Sequence, residues 1–168
     1  KALIEKLNKN PMKRALRVDK VRLAAIEATL RLYRDPDRLA QNLPTYRLLA
    51  RPSKEMLDVS RRVLPALQAK LGEAWEVKTV PCTSQVGSGA LPVEALASLG
   101  ISIVPTRARA SGRLLSIASA ALRDLPVPVI GRIENGALVL DLRCLVEVDA
   151  FIANLATLAP PESSDGLA

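Results

Sequence analysis

No histidine occurs anywhere in the 168 residues. That removes the commonest general base, the usual metal ligand and every Ser-His-Asp or Cys-His arrangement from the chain's own chemistry. Self-contained hydrolysis and a metal centre are therefore not expected. Aromatic residues make up only 2% of the chain, which withholds the stacking platform that single-stranded nucleic acid uses and leaves packing to Leu, Val and Ala. The two cysteines, Cys82 and Cys144, stand 62 positions apart. They form no metal-spaced pair and read as free thiols of a reducing compartment. No apolar run has the length of a membrane helix and no signal-peptide pattern opens the chain, so a soluble cytoplasmic protein is expected. The chain starts at Lys1 without a Met, inside what reads as a helix, which suggests a domain taken from a longer protein.

What is present is enough for a real core: 49% of the residues are hydrophobic. The net charge of +7 is unevenly spread. Residues 1–70 hold 17 Lys and Arg against 7 Asp and Glu, a balance of +10, and residues 71–168 hold 7 against 10, a balance of −3. A phosphate-bearing partner would meet the front of the chain.

Residues 11–34, PMKRALRVDKVRLAAIEATLRLYR, predict one long helix. Asn10 suits the N-cap, Pro11 suits the first helical position, and no Gly or Pro interrupts before Pro36. Its first turns carry Lys13, Arg14, Arg17 and Lys20 at spacings of three and four. Like charges so placed cost about 0.2–0.5 kcal/mol per pair unless something negative sits among them. Two readings stand side by side. Arg14 and Arg17, near a helix N-terminus, can grip a phosphate-like group through forked, charge-assisted hydrogen bonds; or the four cations form a solvated basic face.

The remaining punctuation is regular. A short helix is expected over 1–9, and a second long one from Ser53 to about Leu71, with Pro65 kinking or dividing it. A strand follows from Trp75, limited by Pro81. The loop 83–92 carries Gly87 and Gly89, either as a plain turn or as free N–H groups approaching a ligand. The run ISIVP reads as a strand, with Arg107 and Arg109 after it, and 111–125 as a helix packed on a sheet. Residues 129–134 and 137–143 flank Asn135–Gly136, a strong hairpin signal, and a last helix spans about 146–158. The fold class is therefore α+β, an antiparallel or mixed sheet covered by helices. A helical connector over 1–52, an α+β domain over 53–158 and a flexible tail over 159–168 are expected.

Four collinear segments, PMKRALRVDKVRLAAIEATLRLY, LPTYRLLAR, VPCTSQVGSGALP and LPVPVIGRIENGALVLDLRCL, closely resemble the C-terminal part of the bacterial selenocysteine synthases, the L-seryl-tRNA(Sec) selenium transferases. The resemblance spans nearly the whole chain. It implies the small C-terminal domain of a fold type I pyridoxal-phosphate enzyme, preceded by a helix linking it to the large domain. It implies conversion of seryl-tRNA(Sec) to selenocysteinyl-tRNA(Sec) with selenophosphate as selenium donor, in a homo-oligomeric ring of dimers, without membrane or metal. The family's Schiff-base lysine lies in a Ser-Gly-Asp-Lys motif that is absent here, so no catalytic residue is expected in this chain and the fragment alone should be inactive without bound pyridoxal phosphate. Arg14 and Arg17 match family arginines that receive the donor's phosphate. Arg132, in VIGRI, is either a substrate-binding arginine or a structural ion-pair partner, and Cys82 is expected to pack rather than react. The small domain of another pyridoxal-phosphate lyase or transferase, and a basic nucleic-acid-binding module using residues 1–62, are the alternatives.

Overall fold

The stretch from Pro11 to Arg34 is not one helix in the computed structural model, which describes residues 1–85, 95–107 and 111–159. Helix α1 covers Ala2–Lys9, a 3-10 turn covers Pro11–Arg14, and α2 begins only at Lys20 and runs to Leu32. Two short polar side chains account for the break. Asn10 Oδ1 accepts the Met12 N–H at 2.9 Å, and Asp19, in extended conformation, accepts the Arg22 N–H at 2.9 Å. Each supplies backbone donors with a partner the helix would otherwise provide, which is why Asp and Asn start helices more readily than they continue them. Short helical pieces follow at Pro36–Arg38, at Leu39–Asn42 (α3) and at Pro44–Leu49 (α4).

The chain divides into two compact units, Lys1–Arg47 and Leu48–Ala168. The first contains no buried residue. Its internal fastenings are local: the Glu27–Arg31 ion pair at 2.7 Å and a T-shaped contact between Tyr33 and Tyr46.

The second unit holds the core. Helix α5, Ser53–Leu71, buries Met56, Val59, Val63, Leu67 and Leu71, spaced three and four apart on one side. Pro65 lies inside the helix and does not divide it. Pro65 is exposed, so the carbonyl that loses its intrahelical partner, four residues earlier at exposed Arg61, can be hydrated. Gly72, at φ +74, ends the helix in a conformation that glycine adopts without a Cβ penalty.

Strands β1 (Trp75–Gln85), β2 (Ala95–Pro105), β3 (Arg132–Glu134) and β4 (Ala137–Asp141) form one antiparallel sheet in the order β1-β2-β4-β3. Helix α6 (Ser111–Arg123) lies between β2 and β3 in sequence, and α7 (Val148–Leu155) closes the unit. The core packs Trp75, Val77, Ile101, Ile103, Leu138 and Leu140 of the sheet with α5, α6 and α7.

Strand β1 continues through Pro81, contrary to the sequence expectation. It is an edge strand, where a missing N–H removes no ladder bond and denies one to a foreign strand. The same edge is closed further along by Gln68, whose amide donates to the Trp75 carbonyl at 2.9 Å and accepts the Val77 N–H at 3.2 Å. The Asn135–Gly136 hairpin forms with φ +50 and +75, pairing Glu134 with Ala137.

Residues 48–52, grouped by sequence with the connector, belong to the second unit, and a reciprocal arginine clasp explains why. Arg51 Nη1 donates to the carbonyls of Leu142, Arg143 and Leu145 at 3.1, 2.9 and 2.7 Å. Arg143 Nη1 donates to the carbonyls of Leu48 and Leu49, each at 3.0 Å, and its Nη2 to that of Ala97. Arg143 is only 6% exposed, and its Nε has no partner among the described residues.

Candidate anion-binding site

Arg14 is the last residue of the 3-10 turn and Arg17 follows it by one more turn, closed by the Arg17 N–H on the Arg14 carbonyl at 3.4 Å. They are three positions apart on turn backbone rather than on one α-helix. Both are exposed, and neither guanidinium has an ion pair or hydrogen bond among the described residues. Their two neighbours behave differently. Lys13 is drawn back onto α1, its Nζ 3.4 Å from the Asn8 carbonyl and 3.3 Å from Asn8 Oδ1. Lys20 opens α2.

The expected help from a helix N-terminus is absent. The turn that holds Arg14 is a four-residue 3-10 piece, too short to accumulate a useful dipole. The first long helix after it is already capped by Asp19, whose carboxylate also pairs with Arg22 Nε at 3.3 Å. Attraction for an anion here rests on the two guanidinium groups themselves.

Arg132 sits in the second unit and is engaged. Its Nε donates to Glu134 Oε2 at 3.0 Å, and Nη1 lies 3.8 Å from Asp141 Oδ2. The Glu134 hydrogen bond holds its pKa above the ordinary value. These are the contacts that the structural reading of Arg132 calls for.

Around Arg132 the sheet builds a polar cluster that sequence reading missed. Asp141 accepts hydrogen bonds from the Ser84 hydroxyl, from the Ser98 hydroxyl at 2.7 Å and from the Arg143 N–H at 3.0 Å. Burial alone would push this carboxyl up; the hydrogen bonds from Ser84, Ser98 and Arg143, with the Arg132 charge, outweigh it and hold the pKa below the ordinary value. Strand alternation carried a signal, since Ser84, Cys82 and Ser98 fall on one face and Cys82 pairs with Ser98. Cys82 fills space left by Gly100, where an added Cβ would lie 3.1 Å from the sulfur. Burial, then the Asp141 charge, push its thiol up, with Arg132 offsetting part of this. A thiol so held is protonated at neutral pH and a poor nucleophile.

Other features exclude competing sites. A groove of about 420 Å³ on the second unit is lined by Val127, Ile130, Leu145 and Phe151 with Asp141 and Glu147, and among the described residues by no Lys or Arg, so this lining does not suit an anion. Of the eight lysines, seven are exposed; Lys70 is half-buried with its Nζ on the Ala156 carbonyl. None is buried in an apolar pocket of the kind that activates a lysine for covalent chemistry. Gly87, Gly89 and Arg109 lie outside the described residues, as does the tail beyond Ala159. Among the described residues no group of His, Cys, Asp and Glu could hold a metal, and no helix is long and apolar enough to cross a membrane.

Residues 1–146 match the family of L-seryl-tRNA selenium transferases. The chain belongs to that family. It is 56% identical over 158 residues to the L-seryl-tRNA(Sec) selenium transferase of Methylocella silvestris, covering 94% of this chain and 33% of that protein. The corresponding proteins of Rhizobium meliloti and Serratia proteamaculans are each 48% identical, over 92% and 93% of this chain and 32% and 33% of their own length. The chain thus spans about a third of the length of the curated relatives it matches. The transferase reading is favoured over a separate nucleic-acid-binding module or another lyase.

Proposed function

We propose that this chain is the portion of a selenium transferase that supplies Arg14 and Arg17 to hold the phosphate of selenophosphate while selenium passes to a seryl-tRNA(Sec)-derived acceptor. One observation carries the reading: two exposed guanidinium groups, on successive turns and without acidic partners, stand in a segment that matches the family. Each guanidinium offers a planar fork of donors to phosphate oxygens. The selenium–phosphorus bond breaks with its electron pair passing to selenium, which bonds the acceptor carbon, while water takes up the phosphoryl group as inorganic phosphate; donors fixed beforehand on the phosphoryl oxygens hold their charge in place through that transfer. The half-engaged Lys13 adds charge nearby without a fork.

The parent enzyme, in this proposal, is a cytoplasmic homo-oligomer of the fold type I class, a ring of dimers, that uses pyridoxal phosphate. The lysines of this chain do not fit that cofactor, so its covalent site belongs to the part of the enzyme outside these residues, and the chain alone is inactive. Arg132 and Cys82 take no part in the transfer.

The test is selenophosphate-dependent formation of selenocysteinyl-tRNA(Sec) by full-length enzyme carrying Arg14→Ala, Arg17→Ala or the Lys replacements. Either Ala variant should lose about 100-fold or more in turnover, as removal of one oriented donor does, with Lys restoring little. Wild-type turnover in both Ala variants would reduce the pair to a solvated basic face.

A further inference from the structure

Helix α2 is apolar on two sides. Leu23, Ile26 and Leu30, three and four positions apart, share one side; Val21, Ala25 and Ala28 share roughly the opposite one. Leu23 is 53% exposed, Leu30 61% and Val21 79%, and nothing on the helix is buried. Two polar seams separate the stripes, and apart from Lys20 at the first position of the helix their charged groups are paired locally. In one, Arg22 pairs with Asp19 and the Thr29 hydroxyl donates to the Ala25 carbonyl at 2.8 Å. In the other, Glu27 pairs with Arg31 at 2.7 Å. A helix apolar on both sides is the pattern of an interior helix rather than a surface one. With the other charges paired, only Lys20 would need an outlet on enclosure, and it stands at the end of the helix, where its long stem can carry the ammonium outward.

We infer that α2 is an interior strut of the full-length enzyme, covered along both stripes by the part of its own polypeptide that lies outside these 168 residues. About two-thirds of the relatives' length is available to do this. A second copy of the chain is a poorer occupant: a two-fold contact places the same patch against itself, so it covers one stripe and leaves the other in water. The alanines of the second stripe also admit a closely approaching backbone. The inference needs family membership alone and is independent of the role of Arg14 and Arg17.

The experiment places a photocrosslinking amino acid at Leu23 or at Val21 of the full-length enzyme, assembled from mixed isotopically heavy and light subunits. Light-to-light and heavy-to-heavy crosslinks at both positions, to peptides outside residues 1–168, are the expected result. Heavy-to-light crosslinks at either position would show that a neighbouring subunit covers that stripe and overturn the inference. So would capture of peptides from residues 1–168, or no crosslink at either one of the positions. A second readout needs no crosslinking: Leu23→Cys and Val21→Cys should resist a thiol reagent in the folded full-length enzyme and react readily in the isolated chain. Ready reaction of either in the full-length enzyme would equally overturn it. Selenium transfer by Arg14→Ala is read separately, so failure of one proposal leaves the other distinguishable.

Discussion

Residues 1–47 and 48–168 differ in almost every respect that stability depends on. The first unit carries twelve Lys and Arg against five Asp and Glu, a net of +7, while the second is balanced at twelve against twelve. The first buries nothing; the second holds the entire described core, from Met56 to Leu158. The second also satisfies most of its buried polar groups internally, through the Arg51–Arg143 clasp and the Asp141 cluster. The first leaves guanidinium groups and apolar stripes facing outward. One unit is a scaffold around its own core, and the other presents exposed surfaces for which we propose partners, protein for α2 and an anion for Arg14 and Arg17.

The sharpest way to break this contrast is at Arg143. Arg143→Ala strands the carbonyls of Leu48, Leu49 and Ala97 and should lower the stability of the 168-residue chain by about 1–3 kcal/mol or more in urea denaturation. A loss under 1 kcal/mol would mean that water replaces the clasp. Next comes the hairpin: Gly136→Val forces a β-branched side chain to φ +75 and should cost about 1–2 kcal/mol. An unchanged melting temperature would contradict the tight turn.

Acid sharpens the comparison further. The Asp141 carboxyl titrates below its ordinary value of 3.8, so it stabilises the second unit above that pH and the contribution is lost as pH falls through the lower, folded value. Asp141→Asn should flatten the acid limb of the stability curve while lowering stability at neutral pH. An identical acid limb would remove Asp141 from the account. The smallest effect belongs to the first unit: Arg14→Ala and Arg17→Ala should change the stability of the isolated chain by less than about 0.5 kcal/mol, because neither side chain has a partner among the described residues.

The scaffold was largely legible in sequence, since its signals are periodic or sterically strict. The stripe Met56, Val63, Leu67 gave α5, and Asn135–Gly136 gave the hairpin. Where the sequence misled, a short side chain or an edge position decided the matter. Asp19 opens a new helix instead of continuing one, and Pro81 stays inside β1 because only one side of that strand needs donors. The polar cluster was hidden for another reason. Ser84, Ser98 and Asp141 are far apart in sequence and meet only through strand order, and buried Arg51 and Arg143 look like any other surface cation until their carbonyl partners are known. Arg14 and Arg17 stood out by their spacing and then by motif resemblance, while the long-helix N-terminus first invoked for them is not there.

Amide hydrogen exchange across the 168-residue chain tests the division most directly. Amides of α5, β2 and β4 should exchange only through global unfolding, and those of α2 should exchange far faster, near the rates of local fraying. Protection in α2 equal to that in α5 would contradict the account, because residues 1–47 would then own a core that the structure does not give them.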